Sequence, residues 1–220
     1  VFAFLALASA LVAQQAPRPS FDCARARAPV EHAICADAEL SRLDRRMGER
    51  YAAVRRALPP LARTALTNDQ NRFLRARNEW FDNRKGIGFR DFPDLRGRMT
   101  DRIVFLDAIR TTPVLGPAGR WTNATGRIDI TQVAPTRFRV RADTAHPVNA
   151  RWLCNVQGVG RLENGVLTLA PDGSTGWRLR IAFRASFIEV TETGPGDAVG
   201  GPNYCGANGS VAGTYLLSRP

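Results

Sequence analysis

Along residues 28–110, apolar side chains recur at steps of three and four. Leu40, Leu43, Met47, Tyr51, Val54 and Leu58 make one stripe. Leu66, Gln70, Phe73, Arg77, Trp80 and Phe81 make a second, and Leu95, Met99, Ile103, Leu106 and Ile109 a third. Each stripe predicts a helix that buries one face. The punctuation agrees with this. Pro29 suits a first helical position, where the missing N–H would have no intrahelical partner. Asp37 is placed to cap the next helix, and Pro59-Pro60 ends it. Gly86 and Gly88 break the second stripe, and the third follows Pro93. Three helices with short connections predict a small antiparallel bundle.

Past Thr112-Pro113 and Gly116-Pro117 the period changes to two. Ile128 and Ile130 flank Asp129. Phe138 and Val140 alternate with Arg137, Arg139 and Arg141, and Leu179, Ile181 and Phe183 alternate with Arg178, Arg180, Ala182 and Arg184. Glu163-Asn164-Gly165 and Asp172-Gly173 mark hairpin turns. About eight strands in roughly 100 residues predict an antiparallel meander rolled into a small barrel or sandwich. Gly119-Arg120-Trp121 and Gly213-Thr214-Tyr215 are placed to pair as first and last strands and close it. The expected fold class is α+β: a helical domain over 20–112, a linker over 113–118 and an antiparallel β domain over 119–220.

The stretch 1–13 is apolar and too short to span a bilayer, but it fits the hydrophobic part of a signal peptide, with Ala8-Ser9-Ala10 as a small-x-small cleavage pattern. No small-residue lipobox precedes a cysteine, so the expected product is a soluble periplasmic or secreted protein without a transmembrane segment. The four cysteines, Cys23, Cys35, Cys154 and Cys205, form an even set, which in an exported chain predicts two disulfides. Three pairings are possible. The change of character near residue 112 favours Cys23–Cys35 with Cys154–Cys205. No Cys-x-x-Cys is present, and export favours S–S bonds over metal thiolates, so neither a metal nor a cofactor is expected.

Hydrophobic residues at 44% and charged residues at 23% exclude a collagen-like or disordered chain. Charge adds a feature that the periodicity does not show: 31 basic side chains oppose 20 acidic ones, for a net +11, and every basic residue but Lys85 is arginine. Arginine grips phosphate and carboxylate with two parallel N–H groups. Arg137, Arg139 and Arg141 share one strand face, and Arg178, Arg180 and Arg184 share another. If those strands are neighbours they build a cationic wall, suited to anionic envelope glycans or lipids; nucleic acid is not an expected partner outside the cytosol. Trp80, Trp121, Trp152 and Trp177 read as core, although the three in the β half are also placed for a sugar groove. Catalysis has little to build on. The only histidines are His32 and His146, and there is neither a nucleophile elbow nor a phosphate loop. The carboxylate pairs Glu31/Asp37 and Glu189/Glu192 read as capping or surface groups, and the chain is not expected to be an enzyme.

One run of residues carries a family likeness. Phe21-Asp22-Cys23, Pro29-Val30-Glu31-His32-Ala33-Ile34-Cys35, Asp37-Ala38-Glu39-Leu40, Leu43-Asp44 and Tyr51, followed by Gln70, Phe73-Leu74 and Arg77-Asn78, resemble the N-terminal domain of the lysozyme inhibitor LprI family over roughly residues 20–84. Phe73 and Asn78 stand where the family commonly has Trp and Asp. The resemblance implies an exported helical domain that binds and inhibits a lysozyme-type muramidase. Asp44 and Arg77 border the stripes of different helices and are expected to meet as a structural ion pair. Asp37 and Glu39, with Asp44, are the candidate acidic finger for a partner's cleft. Residues 20–112 carry 19 basic and 13 acidic side chains, and 113–220 carry 11 and 7. Against a basic muramidase, association would therefore lack electrostatic steering.

Overall fold

A computed structural model of the chain describes residues 18–85, 94–112, 114, 116–195 and 201–220. The apolar stretch 1–13, the breaks at Gly86 and Gly88, Pro93 and part of the expected linker lie outside these residues. The three stripes are three long helices: α2 (Ala38–Ala57), α3 (Pro60–Asn83) and α4 (Leu95–Ala108). A fourth, two-turn helix, α1 (Pro29–Ala36), precedes them. The chain entering it is held by Glu31, whose carboxylate accepts the backbone N–H of Arg27 at 2.7 Å and of Ala28 at 3.0 Å. These two bonds hold the Glu31 carboxyl below its ordinary pKa. Asp37 caps α2 by accepting the N–H of Glu39 at 2.8 Å and of Leu40 at 2.9 Å. Asp94 caps α4 through the N–H of Gly97 at 2.8 Å.

The β half is a closed eight-stranded barrel in sequence order. Its strands are β1 (Gly119–Asn123), β2 (Gly126–Ala134), β3 (Arg137–Ala145), β4 (Leu153–Glu163), β5 (Val166–Leu169), β6 (Arg178–Arg184), β7 (Phe187–Thr193) and β8 (Gly213–Ser218). Every neighbouring pair is antiparallel, and β1 meets β8 with Trp121 opposite Leu217. Inward positions are apolar: Trp121, Ile128, Ile130, Phe138, Val140, Leu179, Ile181 and Tyr215 belong to one buried cluster. At this diameter two core positions on β4 must be glycine. A Cβ on Gly160 would lie 2.7 Å from the Thr168 carbonyl oxygen and 2.8 Å from Leu167 Cδ1. Strand β5 therefore crosses directly over a bare stretch of β4.

The helices cover the barrel along β7 and β8. Phe187 and Leu216 leave the barrel outward and join Met47, Val54, Leu66, Ile103 and Leu106 in a second buried cluster. A third gathers α1, the end of α3 and the start of α4 around Val30, Ile34, Trp80 and Met99, with Val148 from the β3–β4 connection. Cys23 is bonded to Cys35, tying the entry of the chain to the end of α1. Cys154 is bonded to Cys205, which tacks the long β7–β8 connection onto β4. That seam is extended by the Asn155 N–H donating to Tyr204 O at 3.0 Å and the Gly206 N–H donating to Leu153 O at 2.8 Å.

Gly160→Ala is expected to lower unfolding stability by about 1–3 kcal/mol through overpacking. Gly206→Ala, whose Cβ would approach nothing closer than 3.4 Å, is expected to lie near wild type. Urea unfolding of the two variants checks the difference.

Candidate functional site

The residues of the family-like segment divide into buried and exposed sets. Asp44 and Arg77 are both buried, with Arg77 Nη1 3.6 Å from Asp44 Oδ1. The other Asp44 oxygen accepts the Ser20 N–H at 2.8 Å and the Ser20 hydroxyl. Arg77 turns its Nε and Nη2 to Asn78 Oδ1, each at 3.1 Å. Burial pulls the Arg77 guanidinium below its ordinary pKa, and Asp44 partly opposes that. Asp44 thus joins the incoming chain, α2 and α3, and is not available as part of an acidic finger. Asp37 and Glu39 do reach the surface of α2, but Arg96 of α4 sits between them, 3.8 Å from Asp37 and 3.0 Å from Glu39. The Leu40 and Glu39 N–H groups, and then Arg96, keep the Asp37 carboxyl below its ordinary range. This patch is a cluster of mixed charge, with one guanidinium between two carboxylates.

A second buried pair was not predicted from the sequence. Asp69 of α3 accepts Arg102 Nη1 of α4 at 2.7 Å on one oxygen and the Ala124 N–H of the β1–β2 turn at 2.7 Å on the other. Arg102 Nε donates to Gln70 Oε1 at 2.8 Å. The guanidinium carbon lies 4.2 Å from the Phe105 ring centre and 5.1 Å from that of Phe73. Burial lowers the Arg102 pKa, with Asp69 opposing. Its Nη2 has no hydrogen-bond partner among the described residues. Next to it, a cavity of about 400 Å³ opens between α4 and the β3–β4 connection. Arg98 supports that connection by donating to Pro147 O at 3.0 Å and Val148 O at 2.6 Å, and its guanidinium lies 4.8 Å from the centre of the Trp80 ring. Burial brings its pKa down to about 10, against the opposing charge of Asp101.

The arginine ladders face solvent, as the alternation of β3 and β6 requires. They do not form one two-stranded wall, because β4 and β5 stand between β3 and β6. Register supplies a different continuity: Arg137 lies opposite Arg161, Arg161 opposite Thr168, and Thr168 opposite Arg180. Arg184 is taken up by Glu189 at 3.0 Å and Arg161 by Glu163 at 2.6 Å. Among the described residues, Arg137, Arg139, Arg141, Arg178 and Arg180 have no ion pair. Asp129, opposite Arg141, is held by Arg120 at 2.8 Å and Arg127 at 3.6 Å.

Other candidate groups are occupied structurally. Trp121 is inside the barrel, while Trp152 packs edge-on to His146 and Trp177 edge-on to Tyr204, so the three do not share a groove. Glu192 accepts from Tyr204 Oη at 2.8 Å, from the Ser210 hydroxyl and from the Ala212 N–H at 3.2 Å, clasping the β7–β8 connection. Among the described residues no group of three or more His, Cys, Asp and Glu side chains is placed to hold a metal ion, and no helix is long and apolar enough to cross a membrane.

Asp69→Ala is expected to cost about 3–5 kcal/mol, because it leaves a buried guanidinium uncompensated. The double variant Asp69→Leu/Arg102→Met is expected to recover most of that loss in urea unfolding.

No curated protein and no solved structure matches this chain. A family model does, and its match runs beyond the stretch 20–84 into most of α4: residues 23–104 match the family described as Lysozyme inhibitor LprI.

Proposed function

We propose that this protein is an exported binding protein that docks on a lysozyme-type muramidase and inhibits it. The observation that carries the reading is the family match over residues 23–104, which spans α1, α2, α3 and most of α4 with the Cys23–Cys35 bond. The two disulfides support export, since such bonds persist in oxidising compartments. The docking face is the outer side of the helices, where Asp37, Glu39 and Arg96 offer both signs of charge at one place. With a net charge of +11 the protein gains no long-range attraction toward a basic enzyme, so association is expected at an unsteered rate of about 10⁵–10⁶ M⁻¹s⁻¹.

Purified oxidised protein at micromolar concentration is expected to slow cell-wall clearing by at least one of several lysozyme types, with saturation at a fixed stoichiometry. Unchanged activity across all of them would remove this reading.

A second reading rests on the barrel: the exterior from β3 to β6 is a binding surface for anionic envelope glycan or lipid. The unpaired Arg137, Arg139, Arg141, Arg178 and Arg180, linked across β4 by Arg161, support it. Sedimentation with vesicles rich in anionic phospholipid is expected to weaken steeply between 50 and 200 mM salt. It is expected to fall roughly a hundredfold when Arg137, Arg139 and Arg141 are all changed to Ser, at about tenfold or less per charge. Salt-independent binding would exclude it.

A further inference from the structure

The helices cover the barrel along β7 and β8, and the side facing away from them is centred on β3, with β2 and β4 as its neighbours. Arg137, Arg139 and Arg141 occupy successive outward positions of β3. At about 3.4 Å per residue they span about 14 Å along the strand, and β2 to β4 adds about 10 Å across it. Arg178 and Arg180 belong to β6, two strands beyond β4 around the curve of the barrel. A planar partner lying on β3 therefore meets β2 and β4 before it meets β6.

Apolar side chains are set among these arginines. Val133 is 45% exposed and Val159 38%. Val159 lies directly opposite Arg139. Val133 stands at an irregularity of β2, between Gln132, which pairs with Phe138, and Ala134, which pairs with Arg137. Such a bulge sets two residues of one strand against one of the next, and here it leaves Val133 beside Arg137 on the outer surface. On its other flank Arg137 lies opposite Arg161. Like charges directly opposite weaken a strand pair, and an anion placed between them offsets that cost. Carboxylates stand at the margins of the patch: Glu163, 2.6 Å from Arg161, Asp129, 2.8 Å from Arg120, and Asp143, 3.3 Å from Arg127.

We propose that this face docks on the surface of an anionic phospholipid bilayer, with Arg137, Arg139 and Arg141 at the phosphates and Val133 and Val159 entering the headgroup layer. The proposal rests on the arginine face being a binding surface, and it names the partner as lipid. Arginine offers phosphate two parallel N–H groups. Interfacial binding adds the burial of apolar area to the attraction for anionic headgroups, so a surface that mixes guanidinium groups with exposed valines uses both. A polysaccharide would engage the arginines and leave the valines in water. The outward positions of β2, β3 and β4 also hold no aromatic ring for a sugar to stack on.

The test measures partition of the full oxidised protein onto phosphatidylglycerol/phosphatidylcholine vesicles, and separately its binding to dextran sulfate, an anionic polysaccharide without lipid. Val133→Thr/Val159→Thr keeps the β-branched shape and removes apolar surface. It is expected to weaken vesicle binding about fivefold and to leave dextran sulfate binding unchanged. Val159→Trp is expected to tighten vesicle binding, with added fluorescence that brominated lipid quenches. Arg139→Ser/Arg141→Ser is expected to weaken vesicle binding about thirtyfold, whereas Arg46→Ser/Arg56→Ser, which removes the same charge from an exposed face of α2, is expected to change it less than threefold. Equal losses in the two arginine pairs would overturn the proposal, since binding would then follow net charge. So would vesicle binding that neither valine variant alters, which would leave a purely electrostatic surface. Binding to dextran sulfate without binding to vesicles would overturn the lipid assignment and retain the arginine face as a glycan surface; binding to neither would remove both. The two valine variants shift binding in opposite directions, so the test stands even where one of them fails to fold.

Discussion

Strand β8 is buried on both faces, and the rest of the molecule is arranged about it. Tyr215 and Leu217 point into the barrel, while Leu216 points out into the helical core with Phe187 of β7. One edge pairs with β1 and closes the barrel, and the other pairs with β7. Its end is also bonded to the residues that leave α4: the Arg110 N–H donates to Leu217 O at 2.9 Å and the Arg219 N–H to Ala108 O at 2.8 Å. Barrel closure and the floor of the helical core therefore share one strand. Both need β8 to meet β1 from far along the chain, and such long-range contacts are slow to form.

Apolar burial drives that assembly without selecting one arrangement of helices on barrel. The buried polar groups select it. Asp69 divides its two oxygens between Arg102 on α4 and the Ala124 N–H on the β1–β2 turn. A shift of one helical turn would leave a carboxylate and a guanidinium buried without partners. Asp44 divides its oxygens in the same manner between Arg77 and Ser20, locating the incoming chain against α2 and α3. Desolvation offsets most of the attraction inside such pairs, so their contribution is to the choice of register more than to total stability.

How legible each feature was follows from its pattern. The barrel could be read because arginines and apolar residues alternate cleanly on β3 and β6, and the closing strands because each begins with glycine and continues into an aromatic residue. The face of a strand follows from alternation, but its neighbour does not, and the separation of β3 from β6 by two strands had to come from the structure. Asp44 and Arg77 were visible because they border the stripes. Asp69 and Arg102 each sit one residue away from a stripe position, where a solvent-facing side chain is the ordinary expectation. Their burial comes from the barrel covering a second face of α3 and α4. Periodicity within one helix carries no record of such tertiary cover. The unbroken buried run Tyr215-Leu216-Leu217-Ser218 lost its alternation for the same reason.

Both surfaces carry exposed arginines, but in different settings. On the helices some stand within reach of carboxylates: Arg45 with Glu49, Arg50 with Asp107, Arg96 with Asp37 and Glu39. Others, Arg42, Arg46, Arg55 and Arg56 among them, have no ion pair among the described residues, so docking of a basic protein there rests on shape and short-range contacts. On the barrel from β3 to β6, Arg137 lies opposite Arg161, while Arg139 and Arg141 face Val159 and Gln157 and Arg180 faces Thr168, and most of these arginines have no carboxylate partner among the described residues. Their fields add, and an anionic surface feels them at about a Debye length, ~8–10 Å. The net charge of +11 is spread over both halves: residues 20–112 carry 19 basic and 13 acidic side chains, and residues 113–220 carry 11 and 7. The segment that resembles an inhibitor therefore shares the excess, and a basic partner gains no attraction from it. On the proposed readings taken together, the arginine face of the barrel holds the protein at an anionic envelope, and the helical face meets a muramidase through shape and short-range contacts rather than through charge.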